Sequence, residues 1–208
     1  TQVDPEVFEA MKPYFIEKFG NASSKSHSLG WEADSAVENA RKKIALLFDA
    51  DANQILFTSG ATESINLVHH GIANMYRSKG KHIITSSIEH SAVLHSLEHF
   101  ERHGFDIQII ENDSSGIVDP ELIKKNIRTD TILVSIMTAN NEVGTINNIE
   151  AIAEICKEKN ILFHTDATQA IGKIKFDRLK FLPDLISFTS HKIYGPKGIG
   201  GLYVGNTT

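Results

Sequence analysis

The sequence is short of the features that mark disulfide-stabilised, membrane-bound and nucleic-acid-binding proteins. Its only cysteine is Cys156, so no disulfide can form within the chain, as is usual in a reducing compartment. No apolar run approaches the roughly 20 residues that span a membrane, and the amino terminus lacks the basic and apolar regions of a signal peptide. The formal net charge of -5 gives no basic footprint for nucleic acid. We therefore expect a cytoplasmic protein that binds neither nucleic acid nor membrane.

What is present is the composition of an ordinary globular domain. The chain has 208 residues, of which 41% are hydrophobic and 23% are charged. This length is enough for one large domain with a substantial core, and no repeat, low-complexity segment or linker divides it. We predict a single domain over residues 1–208, in which residues 1–30 form an N-terminal helix and loop arm that packs on the rest.

Short apolar runs alternate with helical patterns along most of the chain. The segment Asp4-Pro5-Glu6 is typical of a helix start, and apolar residues follow it at helical spacing as far as Phe15; a second helix is predicted from Gly30 to Phe48. Strands are predicted near residues 55–58, 82–86, 105–110, 131–137, 161–166, 185–190 and 198–204. Helices are predicted near residues 62–79, 91–103, 120–127 and 149–159. This alternation predicts an α/β fold with a mostly parallel sheet.

Two reactive side chains follow the last two buried apolar runs, Asp166 after one and Lys192 after the other. Ligands of parallel α/β sheets bind beyond the carboxyl ends of the strands. Pyridoxal phosphate (PLP) chemistry needs a lysine amine that forms a Schiff base with the cofactor aldehyde and a carboxylate that keeps the pyridine nitrogen protonated. The pair therefore predicts PLP. Taken alone, Asp166 is equally well explained as a strand-end cap, and Lys197 in a glycine-rich turn is the rival lysine.

Polar residues follow other strand ends as well. Gly60, Ala61 and Thr62 open a helix, where free backbone N–H groups favour a phosphate, although many helices begin with small residues and the Walker pattern is absent. His90 lies at the entrance of the next helix. It could stack on a planar cofactor and move a proton, or it could be a surface histidine beside a helix cap.

Three further groups are candidates for contacts with the cofactor. Asn141 lies in a strand-end loop and could orient a ring hydroxyl, although adjacent asparagines also form turns. Gln169 could reach the phenolic oxygen of the ring from the turn after Asp166. The polar side chains before Lys192 could bind phosphate or hold the lysine in place: Thr189, Ser190 and His191.

Metal and thiol chemistry are less well supported by the sequence. His95, His99 and His103 recur at four-residue spacing on one side of a helix, which indicates a solvated face, because metal ligands converge from several elements. Cys156 shares a helical face with Ile152 and is predicted to be a small buried hydrophobe. We predict no metal site and no nucleophilic cysteine.

Taken together and in this order, these segments closely resemble the PLP-dependent cysteine desulfurases, on the NifS/IscS-like side of the class V aminotransferase group. The resemblance covers essentially the whole chain. It rests on segments at residues 21–30, 58–66, 89–93, 140–144, 166–169 and 191–198, the last two being Asp166-Ala167-Thr168-Gln169 and His191-Lys192-Ile193-Tyr194-Gly195-Pro196-Lys197-Gly198.

The resemblance implies the large domain of a type I PLP-transferase, with a mostly parallel seven-stranded sheet and helices on both faces. It implies that Lys192 is the Schiff-base lysine, Asp166 the partner of the pyridine nitrogen and His90 the ring-stacking acid/base. The implied phosphate contacts are Ala61, Thr62, Thr189 and His191, with Ser190 between them. The implied contacts of the ring oxygen are Asn141 and Gln169.

The resemblance also implies a reaction and its partners. The family removes sulfur from L-cysteine, giving L-alanine and an enzyme persulfide for iron–sulfur cluster assembly or thiolation. The implied partners are L-cysteine, a second copy of the chain in a homodimer, and a sulfur acceptor or iron–sulfur scaffold protein.

Two departures from the family pattern concern the ends of the chain. The family segment Asp-Asn-Ala-Ala-Thr would lie before Thr1, and the small C-terminal domain, with its sulfur-accepting cysteine loop and substrate-carboxylate arginine, would lie beyond Thr208. We therefore expect a fragment that does not desulfurate cysteine by itself. The alternatives are a related class V aminotransferase, a selenocysteine lyase, or a non-catalytic PLP-binding or dimerisation module.

Overall fold

The computed structural model describes residues 1–205, and these form one seven-stranded sheet. Its strands are β1 (Ile55–Thr58), β2 (His82–Ser86), β3 (Asp106–Ile110), β4 (Thr131–Ser135), β5 (Leu162–Asp166), β6 (Leu185–Thr189) and β7 (Gly200–Val204). Their order across the sheet is β1-β7-β6-β5-β4-β2-β3. Strand β7 is antiparallel to both of its neighbours, and the strands from β6 to β3 are parallel to one another. The predicted mostly parallel α/β sheet is confirmed.

Helices cover both faces of this sheet. They are α1 (Pro5–Met11), α2 (Pro13–Ile16), α3 (Ser28–Ala45), α4 (Ala61–Tyr76), α5 (Ser91–Glu101), α6 (Pro120–Asn126) and α7 (Ile149–Glu158). Side chains of α4 and α5 join one hydrophobic cluster, which includes Ile83 of β2. Side chains of α6 and α7 join a second cluster, which includes the next strand residue, Ile84. Successive strand residues point to opposite faces, so the two clusters are two layers of core.

The central strands are buried on both sides. Every residue of β2, β4 and β6 is buried, as expected for parallel strands that lie between two helical layers. Each large apolar side chain buried in this way contributes about 1.5–3 kcal/mol to folding before the entropy cost is subtracted. The sheet is therefore a rigid platform for the residues that follow its strand ends.

The N-terminal segment departs from the predicted single helix. Its first helix ends at Met11, and a separate short helix begins at Pro13. Proline has no N–H to donate into the preceding turn, so a break falls here although the apolar spacing continues to Phe15. The backbone N–H of Asp4 donates to the carbonyl oxygen of Tyr194 at 2.8 Å, which attaches the segment to the turn after β6. The predicted boundary of an arm at residue 30 stays a prediction.

Several other boundaries differ from those predicted, and α3 and β4 are two examples. Helix α3 ends at Ala45 and continues to Phe48 only as a 3-10 turn, which closes at Asp49 in the left-handed conformation with φ of 50°. Strand β4 ends at Ser135 instead of residue 137. Beyond this point the N–H of Met137 donates to the side chain of Glu89, at 2.8 Å, so β4 and β2 no longer pair.

None of the helices in residues 1–205 combines the length and the apolar character that crossing a membrane requires.

Two histidines lie inside the core and are linked through one serine. The Ser135 hydroxyl lies 2.8 Å from His164 Nδ1 and 3.3 Å from His69 Nε2. His164 Nε2 lies 3.0 Å from the hydroxyl of Ser187. Burial lowers the pKa of His69 to about 3 and lowers the pKa of His164 well below its ordinary value. Both rings are therefore neutral in the folded protein at neutral pH.

These rings predict that acid destabilises the fold. Below pH 6.5, His69 and His164 bind protons in the unfolded chain but not in the folded chain. The free energy of unfolding therefore falls as the pH is lowered. The limiting slope is about 1.4 kcal/mol per pH unit for each histidine. We expect His164→Gln to have a shallower slope than wild type in urea denaturation between pH 6.5 and pH 4.

The matched control is His95→Gln, because His95 is exposed on α5. This control should retain the wild-type slope. An equal slope in wild type and His164→Gln would contradict the role given to the buried histidines.

Candidate active site

The carboxyl ends of the strands surround one cavity of about 420 Å³. Because β7 is antiparallel to both β1 and β6, β1 points in the same direction as the parallel strands, and its end reaches the same edge of the sheet. Every predicted site residue except Ser190 lines this cavity: Ala61, Thr62, His90, Asn141, Asp166, Gln169, Thr189, His191 and Lys192. The volume lies in the range of about 300–1,000 Å³ that is typical of small-molecule sites.

Asp166 is a buried acid that faces the cavity without a cationic partner. Its side chain is 4% exposed, and Oδ1 accepts the N–H of Thr168 at 2.9 Å. No lysine, arginine or histidine of residues 1–205 forms an ion pair with it. Burial raises the pKa of Asp166, and the hydrogen bonds of Thr168 oppose this effect without cancelling it. A positively charged ligand atom in the cavity would compensate this carboxylate.

Lys192 lies on the cavity wall immediately after β6. It ends a 3-10 turn, Ser190–Lys192, and its side chain is half-buried. Within the described residues its amine forms no hydrogen bond or ion pair, so it is available to a ligand. The following Tyr194 has φ of 63°, in the left-handed region that non-glycine residues rarely adopt, which sharpens the turn after the lysine.

Ser190 lies in this turn but does not line the cavity. Its hydroxyl donates to the carbonyl oxygens of Ile199, at 3.0 Å, and Pro196. The predicted contact between Ser190 and phosphate stays a prediction, although this hydroxyl is already engaged. Thr189 faces the cavity. Its Oγ1 lies 2.9 Å from Nδ1 of His191, so these two side chains form one polar pair.

The start of α4 presents backbone N–H groups to the cavity. Gly60 caps this 16-residue helix without a side chain, so the first N–H groups, those of Ala61 and Thr62, have no capping partner. The carboxylate of Glu63 accepts the N–H of Ser59 at 2.6 Å and holds the loop in place. A Cβ atom at Gly200 would lie 2.6 Å from Gly60 Cα, so only glycine allows β7 to pass this close. The free N–H groups and the helix dipole favour a phosphate.

His90 is exposed and caps α5. Its Nδ1 accepts the N–H of Ala92 at 3.1 Å. Nδ1 is thereby occupied as an acceptor, and Nε2 carries the ring proton without a partner in the described residues. Of the two hypotheses for this residue, a helix cap and a ligand contact, the structure supports both together.

The loop after β4 separates the two roles that the adjacent asparagines could have. Asn140 is the turn former, because its Oδ1 accepts the N–H groups of Glu142 and Val143 at 2.8 and 2.9 Å. Asn141 is exposed and lines the cavity. It is therefore the amide that can reach a ligand.

Several cavity residues were missed by the sequence interpretation. Thr168 lines the cavity, and its buried Oγ1 has no hydrogen-bond partner in the described residues, which makes it a further candidate for a ligand contact. Met137 and Ala139 form an apolar wall. Their position just after a buried strand was the signal that could have identified them. Lys197 also reaches the cavity, although it is exposed at the rim.

Cys156 lies in the hydrophobic core and not at the cavity, as predicted. It is 0% exposed and packs within the cluster under α7. Burial raises the pKa of its thiol. Within residues 1–205, no three histidine, cysteine or acidic side chains are arranged so that they could hold a metal ion.

The comparisons with known proteins agree with this geometry. The sequence model of the family described as aminotransferase class-V matches residues 1–208. The chain belongs to this family. A cysteine desulfurase IscS of Neisseria meningitidis serogroup A is 53% identical over 204 residues, which are 98% of this chain and 50% of that protein. The chain thus spans about half the length of the curated relatives it matches.

Solved structures of class-V relatives share the fold. A NifS-like protein superposes with a TM-score of 0.95 at 43% identity, over 100% of this chain and 57% of that one. The structure described as SspA in complex with cysteine superposes with a TM-score of 0.94 at 40% identity, over 98% of this chain and 58% of that one. The predicted fold, a type I PLP-transferase large domain with helices on both faces of its sheet, is confirmed.

Proposed function

We propose that this chain is the PLP-binding large domain of a cysteine desulfurase. Such an enzyme converts L-cysteine to L-alanine and passes the sulfur to a protein acceptor for iron–sulfur cluster assembly or thiolation. The observation that carries the proposal is the buried carboxyl of Asp166, which has no cationic partner and faces the same cavity as the free amine of Lys192. The identity to IscS proteins supports desulfuration within the class-V family.

The residues of the cavity fit PLP group by group. The N–H groups of Ala61 and Thr62 would hold the phosphate, together with Thr189 and His191. The amides of Asn141 and Gln169 would hold the ring oxygen, and Lys192 would hold the cofactor covalently. When bound, PLP supplies an acceptor for the electron pair of a bond that breaks in the substrate.

The protein side chains control charge and protons at this acceptor. Burial disfavours an isolated charge on Asp166, and a protonated pyridine nitrogen beside it would restore the charged form. Lys192 is half-buried on the cavity wall, and its amine forms no hydrogen bond or ion pair within residues 1–205. The Nε2–H of His90 can donate a hydrogen bond to the substrate or the cofactor, because the other ring nitrogen is held by the helix cap.

The sulfur acceptor is not Cys156 in this proposal. A thiolate must reach the sulfur of the substrate, whereas Cys156 is enclosed in the core and its raised pKa keeps it protonated. The accepting thiol therefore comes from elsewhere in the protein or from a partner.

We further propose a cytoplasmic homodimer that serves a sulfur acceptor or iron–sulfur scaffold protein. The names of the relatives support the sulfur-transfer role. Support for a covering partner comes from the N-terminal segment, where Phe15 and Phe19 are each 69% exposed and Trp31 is 58% exposed.

The first test concerns the attachment of the cofactor. Borohydride reduction of the PLP-loaded protein followed by peptide mapping should find the label on Lys192, because its free amine shares the cavity wall with Asp166. The matched comparison is the rival cavity lysine, Lys197. A label on Lys197 or on scattered surface lysines would contradict the assignment, and Lys192→Ala should remove the label altogether.

The second test concerns turnover, measured as L-alanine formed from L-cysteine with a thiol reductant. The 208 residues contain a single thiol, and it is buried, so we expect no turnover from this chain alone. A protein that contains this chain and turns over L-cysteine should lose activity in Lys192→Ala and keep it within about twofold in Cys156→Ser, a change of under about 0.4 kcal/mol. Turnover that survives Lys192→Ala, or that disappears in a folded Cys156→Ser variant, would refute the scheme.

A further inference from the structure

Glu89 is a deeply buried acid that none of the roles above uses. It directly precedes His90, and it is 6% exposed. Its Oε1 accepts two hydrogen bonds, from the hydroxyl of Ser86 at 2.7 Å and from the N–H of Met137 at 2.8 Å. Its Oε2 is buried without a partner in the described residues.

These hydrogen bonds join the ends of two strands where their pairing stops. β2 and β4 are paired as far as Thr85 and Ser135, and beyond that point the carboxyl of Glu89 takes up the N–H of Met137. A second side chain connects the same two segments from the loop after β4: Asn140 Nδ2 donates to the carbonyl oxygen of Ile88 at 2.9 Å. The loop between β2 and α5 is therefore fastened to the end of β4 on both sides.

The fastened loop carries His90, and the end of β4 carries the apolar cavity wall of Met137 and Ala139. The side chain of His90 makes one hydrogen bond among the described residues, the cap to Ala92, and its carbonyl oxygen accepts the N–H groups of Val93 and Leu94 in the helix that follows. Without the carboxyl of Glu89, the N–H of Met137 would be buried and unpaired, which costs about 1–3 kcal/mol. The hydrogen bond between Glu89 and Met137 thus holds the residue directly before His90 in place.

The surroundings of Glu89 favour the protonated, neutral form of its carboxyl. Burial raises the pKa of Glu89 to about 8, against the hydrogen bonds of Ser86 and Met137, and the charge of Asp166 raises it further. Asp166, from β5, is the titratable group whose charge reaches Glu89. The raised pKa favours the neutral form of Glu89 at neutral pH, so Asp166 is the acid that can balance a positive ligand atom.

We propose that Glu89 is a positioning residue: its carboxyl joins the β2–α5 loop to the end of β4 and so fixes the imidazole of His90 at the wall of the cavity. The inference rests on the proposed function only in assuming that His90 contacts PLP. Glutamine has the same shape as the neutral acid and can accept the same two hydrogen bonds, so it should replace Glu89. Alanine should not.

The test compares Glu89→Ala and Glu89→Gln with wild type and with Glu101→Ala, which changes an exposed glutamate at the end of α5. One readout is the Cε1–Hε1 NMR signal of His90 without cofactor, and the other is the dissociation constant of PLP. We expect Glu89→Ala to shift the His90 signal while the signals of His95, His99 and His103 stay in place. We expect it to weaken PLP binding about tenfold, the effect of one lost hydrogen bond to a buried group.

Glu89→Gln and Glu101→Ala should keep the wild-type His90 signal and bind PLP within about twofold of wild type, or about 0.4 kcal/mol. A folded Glu89→Ala variant with an unchanged His90 signal would overturn the proposal, and so would equal losses in Glu89→Ala and Glu89→Gln. If Glu89→Ala does not fold, Glu89→Asp decides the question, because its shorter side chain withdraws the carboxyl from the N–H of Met137. A shifted His90 signal in that variant supports the proposal and an unchanged one overturns it.

The two readouts keep this proposal separate from the proposed function. Wild-type protein that binds no PLP would refute the proposed function, whereas the His90 signal would still decide the role of Glu89.

Discussion

The buried carboxyl of Asp166 is the constraint on which the rest of the site depends. A charged carboxylate in this position is unfavourable until a positive group lies beside it, and the described residues supply no ion-pair partner. The cavity in front of it presents a free amine, unpaired backbone N–H groups and a histidine with a free nitrogen. Under the proposed function, each of these groups has a complementary group on PLP, and Asp166 is the acid that balances the charge of the pyridine nitrogen.

The sheet provides the geometry that this chemistry needs. Parallel strands buried between two helical layers bring their carboxyl ends to one edge, and the antiparallel β7 turns β1 into the same direction. The helix that follows β1 then aims its free N–H groups at the cavity reached by Asp166 and Lys192. Residues far apart in sequence therefore converge at this edge, where the side chain of Glu89 connects the β2–α5 loop to the end of β4.

The sequence was sufficient where a single side chain follows a strand end. The location of Asp166, Lys192 and His90 at one edge of the sheet could be predicted, because the strands of a parallel sheet share one direction and these residues follow strand ends. The sequence was insufficient where the outcome depends on tertiary hydrogen bonds. The roles of Asn140 and Asn141, the inward bonds of Ser190 and the use of Glu89 by Met137 follow from partners that no local pattern reveals. Pro13 was a signal for the break between α1 and α2, but the helical spacing of the apolar residues continues past it and predicted a single helix.

The most direct test of this account is the protonation state of bound PLP, observed by NMR with ¹⁵N in the pyridine ring. The account predicts a protonated nitrogen in the wild-type complex, and a neutral nitrogen in Asp166→Asn, whose amide can still accept the N–H of Thr168 and so preserve the fold. Asp184→Asn is the control, because this acid is also partly buried but does not line the cavity. It should retain the protonated nitrogen. A neutral nitrogen in wild type, or a protonated one in Asp166→Asn, would contradict the central role of Asp166.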